Sequence, residues 1–165
     1  MALKNLILKE ATGKSTFKNG WRYVHILGVD CDCSKNVFNY LKSRSVGSKS
    51  HPVETVAIIG ENHHWKNTLK KLGYFVVTGD AEEFGKKYLI KAVPQLTIFN
   101  EFHQIIYSGG YTQSRSISSV DQIETDLSKI KNELASQSKV NVYPIFGCIT
   151  SKNLQRNFDP HGIKY

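Results

Sequence analysis

A chain of 165 residues with an apolar content of 40% is long enough to bury one core and too apolar to be disordered. Its net charge of +8 comes from scattered lysines, with no arginine-rich or aromatic-interleaved basic run, which speaks against nucleic-acid binding. No apolar stretch approaches the roughly 18 residues that a bilayer-spanning helix needs, and three cysteines make no disulfide scaffold.

The first 20 residues read as an irregular leader rich in Lys, Gly, Ser and Thr; its start, Met1–Glu10, is too short and polar for a signal peptide. Tyr23–Leu27 reads as a buried strand. Asn36–Val46 follows as a helix with Val37, Phe38 and Leu41 inward and Ser34 as its cap. Glu54–Ile59 is a core strand, and Asn62–Leu72 a helix ended by Gly73. Tyr74–Val77 is a strand and Ala81–Leu89 a helix using Phe84 and Tyr88. Leu96–Phe99 and Gln104–Tyr107 have hairpin spacing, with Ser108-Gly109-Gly110 breaking the second strand. Val120, Ile123, Leu127, Ile130 and Leu134 step alternately by three and four, the strongest helical pattern in the chain. Val140–Phe146 and Gly147-Cys148 follow, and Thr150 or Ser151 is placed to cap a last short helix.

Strands alternating with helices call for a parallel core, and the late hairpin for antiparallel edge strands. The fold class is therefore α/β, a mixed central sheet with helices on both faces.

The chemistry concentrates at Cys31-Asp32-Cys33-Ser34, where the first strand gives way to a helix. A thiol there faces the positive end of the helix dipole, which stabilises a thiolate. Lys35 favours that charge and Asp30 and Asp32 oppose it. Cys31 reads as the exposed nucleophile and Cys33, nearer the helix, as the more buried resolving sulfur; the reverse assignment stays open. Cys148 either resolves a disulfide, completes a metal site, or packs as an inert thiol. Three thiolates with a histidine would suit zinc or copper(I). The spacing matches no zinc-finger pattern, and His25, His51, His63, His64, His103 and His161 each read as core or surface residues. Trp21, Tyr23 and Phe38 read as core. Gly13-Lys14-Ser15 imitates the end of a phosphate loop, but Leu8 stands where its first glycine belongs. No nucleophile-elbow motif is present.

The paired cysteines after the first strand, with Asp80, Phe84, Tyr88, Ile90, Val93-Pro94 and Leu96–Phe99, resemble the thioredoxin-like superfamily in its TlpA-like members, over about residues 20–136. Cys31-Asp32-Cys33-Ser34, Tyr107–Thr112 with Ser114-Arg115, and Phe146-Gly147-Cys148 resemble its bacterial RedB-type branch. Asp32 departs from that branch's usual proline, and no Trp-Cys-x-x-Cys motif is present.

The resemblance implies a thioredoxin-like fold, a cis Pro94 facing the cysteines, and a tail that returns Cys148 towards them. It implies a thioredoxin-like domain over 21–136 and a C-terminal extension over 137–165. The implied function is a thiol–disulfide oxidoreductase with site residues Cys31, Cys33, Pro94 and Cys148. It would act on protein or small-molecule thiols and disulfides in the bacterial envelope or periplasm, without cofactor, resident metal, nucleic acid or stable membrane insertion. A metal-binding or metallochaperone module using Cys31, Cys33 and Cys148 is one alternative; a non-catalytic thioredoxin-like binding domain is the other.

Overall fold

The computed structural model describes residues 20–44, 53–113, 119–136 and 142–150. Leader residues 1–19, His51, His161 and the proposed terminal helix lie outside them.

Five strands form the main sheet: β1 (Arg22–Gly28), β2 (Val53–Ile59), β3 (Phe75–Gly79), β5 (Gln95–Phe99) and β6 (Ile105–Gly109). Their spatial order is β3-β2-β1-β5-β6, with β1, β2 and β3 parallel and β5 and β6 antiparallel to their neighbours. β5 is thus an interior strand, so only β6 of the expected hairpin lies at an edge. β6 also runs on to Gly109 instead of breaking at Ser108. A separate pair joins β4 (Ala92–Val93) to β7 (Cys148–Ile149).

Alternation along β1 divides the core. Tyr23 and Leu27 face one layer with Val56 and Ile58; Val24 and Ile26 face the other with Ala57 and Ile59. The first layer receives α1 (Asp32–Ser43), α2 (His63–Lys71) and α4 (Val120–Ala135). Phe38 of α1 stacks flat on Trp65 of α2 at 4.6 Å. The second layer is closed by α3 (Ala81–Tyr88), through Phe84 and Tyr88. Helices therefore cover both faces, as the alternating pattern predicts.

Three helices start on side-chain caps. Asn62, Asp80 and Ser119 accept from the backbone N–H groups of Trp65, Glu83 and Gln122 at 3.0, 2.8 and 3.2 Å. The α1 start is different and corrects the sequence reading. Cys31 is its N-cap, with extended backbone and no side-chain capping bond, so the helix begins at Asp32 and not Asn36. Ser34 does not cap; its Oγ accepts the Gly28 N–H at 3.0 Å, tying the first turn to the end of β1.

One buried polar network crosses the first layer. His25, facing the same way as Tyr23 and Leu27, meets the Tyr111 hydroxyl at 2.8 Å and the Glu54 carboxylate at 3.0 Å. Glu54 also pairs with Arg44 at the end of α1. A neutral His25 satisfies both partners by donating from Nε2 to Glu54 and accepting the Tyr111 O–H at Nδ1. Burial, opposed by Glu54, depresses the His25 pKa. Burial alone would raise Glu54, but the hydrogen bonds from His25 and Arg44 and the charge of Arg44 prevail and hold it at about 2.

Candidate functional site

The three cysteines come together at the carboxyl ends of β1 and β2, the end of a parallel sheet where loops form clefts. Three elements bring them there. Gly28 ends β1, and its carbonyl accepts the Cys31 N–H at 3.2 Å, turning the chain. The first turn of α1 then carries Cys33. The Val93–Pro94 peptide is cis, as the resemblance implies, and the Val93 carbonyl accepts from the Cys31 thiol at 3.5 Å. Antiparallel pairing of β7 with β4 sets Cys148 opposite that same Val93.

The expected exposures are reversed. Cys31 is 2% exposed, whereas Cys33 and Cys148 are half-buried. Cys31 turns into the second core layer beside Val93, while Cys33 sits in the first helical turn and packs partly against both layers. All three are free thiols. A cleft of about 500 Å³ lies on one side, bounded by Gly28–Cys31, Ile59-Gly60, Asp80-Ala81, Val93 and Cys148–Thr150. A second, of about 460 Å³, holds Cys33 with Asp30, Asp32 and Ile145–Cys148. Cys148 borders both.

Burial and like charge win over the helix dipole at two of these sulfurs. Burial chiefly, then interaction with Cys31 and the charge of Asp32, raises the Cys33 pKa. Burial chiefly, then the hydrogen bond and charge of Cys31, pushes Cys148 up to about 12. Asp32 is held low by its exposed pair with Lys35, at 2.6 Å.

Among the described residues no group of three or more His, Cys, Asp and Glu side chains is arranged to hold a metal ion. His25 is committed to Tyr111 and Glu54, His64 packs edge-on to Phe38 in the first turn of α2, and His103 occupies the β5–β6 turn. Tyr23 and Phe38 are core and Trp21 packs against it.

The β1-α1-β2 unit, the antiparallel β5–β6 hairpin, and a cis proline facing a cysteine at the start of α1 together decide the architecture. The fold is thioredoxin-like. No protein-family model matches the chain, and no curated protein matches it. Among solved structures it is similar to a hypothetical protein from Sinorhizobium meliloti, with a TM-score of 0.56 and 14% identity over 80% of this chain and 79% of that one. An uncharacterized conserved protein from Geobacillus kaustophilus gives a TM-score of 0.56 and 17% identity, over 81% and 77%. StoA from Bacillus subtilis gives 0.41 and 16% identity, over 67% and 84%. Likeness at these identities concerns the fold alone.

Three contributors to the site were absent from the sequence reading: Ser34 as an anchor of the first turn, the Val93 carbonyl as the acceptor from Cys31, and the β4–β7 pairing. Phe146-Gly147-Cys148 carried the available signal for the last, since a glycine before a cysteine admits close backbone approach.

Proposed function

We propose that this protein is a thiol–disulfide oxidoreductase acting through Cys31, Cys33 and Cys148 beside Pro94. The observation that carries the reading is the meeting of a helix-start cysteine and a cysteine more than a hundred residues away on one Val93–Pro94 segment, with Cys33 in the adjoining first turn of α1. Buried inert thiols have no reason to meet at a cleft.

The reaction is thiolate attack on a disulfide. One site sulfur, as thiolate, bonds to a substrate sulfur; the substrate S–S bond breaks and its other sulfur leaves as a thiolate, then takes a proton. A second site thiolate attacks the mixed disulfide and releases the remaining substrate sulfur. The protein's two thiols become a disulfide, and the substrate disulfide gains two electrons. The reverse sequence oxidises a substrate dithiol. Cys31 is the sulfur common to both pairings, since Cys33 and Cys148 each interact with it. Cys31 is therefore the sulfur that the two intramolecular disulfides share, with Cys33 or Cys148 as its partner.

The RedB-type resemblance supports the 21–136 and 137–165 division, protein or small-molecule thiols as partners, and action in the bacterial envelope. No helix among the described residues is long and apolar enough to cross a membrane. The test is exchange with a glutathione redox buffer by the Cys31→Ser, Cys33→Ser and Cys148→Ser variants. Cys31→Ser is expected to slow exchange at least about a hundredfold, because both pairings need it. Full activity in that variant would sink the reading.

A further inference from the structure

Strand β4 is only two residues long, and its partner is the chain's own tail. Ala92 pairs with Ile149 and Val93 with Cys148. Thr150 extends the contact: its N–H donates to the Lys91 carbonyl at 3.1 Å and its hydroxyl to the Ile90 carbonyl at 2.8 Å. An extended segment added to an exposed strand edge is a common way of recognising peptides, with backbone bonds for affinity and side chains for selectivity.

Two details make this segment resemble a bound peptide more than a fixed strand. The first is its closeness. A Cβ on Gly147 would overlap the Val93 carbonyl and lie 2.8 Å from Pro94 Cδ. Only glycine fits immediately before the cysteine. The second is uneven anchorage. Upstream, Tyr143 is buried, its carbonyl accepts the Gly110 N–H at 2.8 Å, and its hydroxyl accepts from Gln113 at 3.0 Å. Downstream, Gly147 is exposed, and Cys148, Ile149 and Thr150 are half-buried. So short a ladder lies among the first parts of a fold to open. Tyr143 would keep the opened segment nearby.

We propose that Gly147–Thr150 is a tethered internal competitor for the edge of β4, displaced by an extended segment of another protein that carries glycine followed by cysteine. While seated, the segment walls the cleft that holds Cys31, which is 2% exposed. When an outside strand takes its place, the incoming cysteine stands opposite Val93, next to the Cys31 sulfur. The consequence for catalysis rests on the oxidoreductase reading; the displacement itself does not.

The test uses the full chain and a fluorescein-labelled peptide of residues 142–150 carrying Cys148→Ser, so that binding is read without exchange. The Thr150→Pro protein loses the backbone donor to Lys91 and the hydroxyl bond to Ile90. It should bind the peptide at least about tenfold more tightly than wild type, because its tethered competitor is weakened. The same peptide with Gly147→Val should not bind. A further measurement leaves the protein unmutated: excess peptide should raise hydrogen exchange in the wild-type segment 147–150 and leave Tyr143 unchanged. Equal affinity for both proteins, equal binding of the valine peptide, or undisturbed exchange in 147–150 would each overturn the proposal. Displacement by the serine peptide, with no thiol exchange in the glutathione assay of the cysteine variants, would leave the competitor standing and remove the oxidoreductase reading. Exchange without displacement would do the reverse.

Discussion

Alkylation of Cys148 tests the electrostatics of the site sulfur by sulfur. Burial and the neighbouring Cys31 raise this thiol from an ordinary 9.0 to about 12. Each pH unit below a pKa costs about a factor of ten in thiolate. At pH 8 an ordinary thiol is then about one-tenth ionised and Cys148 about one part in ten thousand, a difference of about a thousandfold. The more basic thiolate is intrinsically more nucleophilic; a Brønsted slope of about 0.4–0.5 returns about twentyfold of that. Cys148 should therefore react with iodoacetamide about fiftyfold more slowly than a free cysteine peptide, before any steric shielding. Its rate should rise about tenfold per pH unit without a plateau near 9. The Cys31→Ser variant removes the second and third causes of the shift but not burial, so Cys148 should alkylate severalfold faster there. Quantitative mass spectrometry of alkylated peptides reads all three thiols in one sample. A wild-type Cys148 that alkylates like a free peptide at pH 8 would refute the reasoning. So would a rate unmoved by Cys31→Ser.

The His25–Glu54–Arg44 network predicts loss of stability in acid. Glu54, held at about 2, contributes stability that is full above its ordinary 4.5 and is lost as the pH falls towards 2. His25 is held neutral, so below its ordinary 6.5 the unfolded chain takes up a proton that the fold resists, with the same sign. The urea midpoint should be level between pH 7 and 8 and fall from pH 6 to pH 3; a level midpoint down to pH 4 would contradict this. Gly110→Ala would set a Cβ against the Pro144 carbonyl and the Ile145 backbone. It should cost about 2 kcal/mol and speed proteolysis within 142–150; wild-type resistance would show that the tail does not depend on that approach. Phe38→Ala empties the stack on Trp65 and should cost about 3–5 kcal/mol in urea unfolding, whereas a loss below about 1 kcal/mol would place the ring outside the core.

Much of the fold was legible because burial writes a period into the sequence. Val56–Ile59 reads as a strand buried on both faces, and it is one. The three-and-four stepping from Val120 to Leu134 lies within α4. Signals failed where a contact distant in sequence decides the local state. Ser34 has the composition of a cap, but the Gly28 N–H claims its hydroxyl and Cys31 takes the capping position. Leu89 was expected to continue α3, yet it ends the helix in the left-handed region at φ 58, a conformation that nothing in its side chain signals. Cys31 looked exposed because a strand–helix junction usually is; the covering strand lies near the other end of the chain. The His25–Tyr111–Glu54–Arg44 network was likewise invisible, since β1, β2, the end of α1 and the loop after β6 meet only in the folded state.

The central claim is reversible two-electron chemistry among Cys31, Cys33 and Cys148. The most direct measurement equilibrates the native protein in glutathione buffers of graded potential, traps the thiols with acid and alkylation, and maps the disulfides by mass spectrometry with metal analysis of the same sample. The account predicts one intramolecular bond, Cys31–Cys33 or Cys31–Cys148, that forms and breaks across the series with no metal bound. Three thiols that stay reduced throughout, or that hold a stoichiometric metal ion, would contradict it.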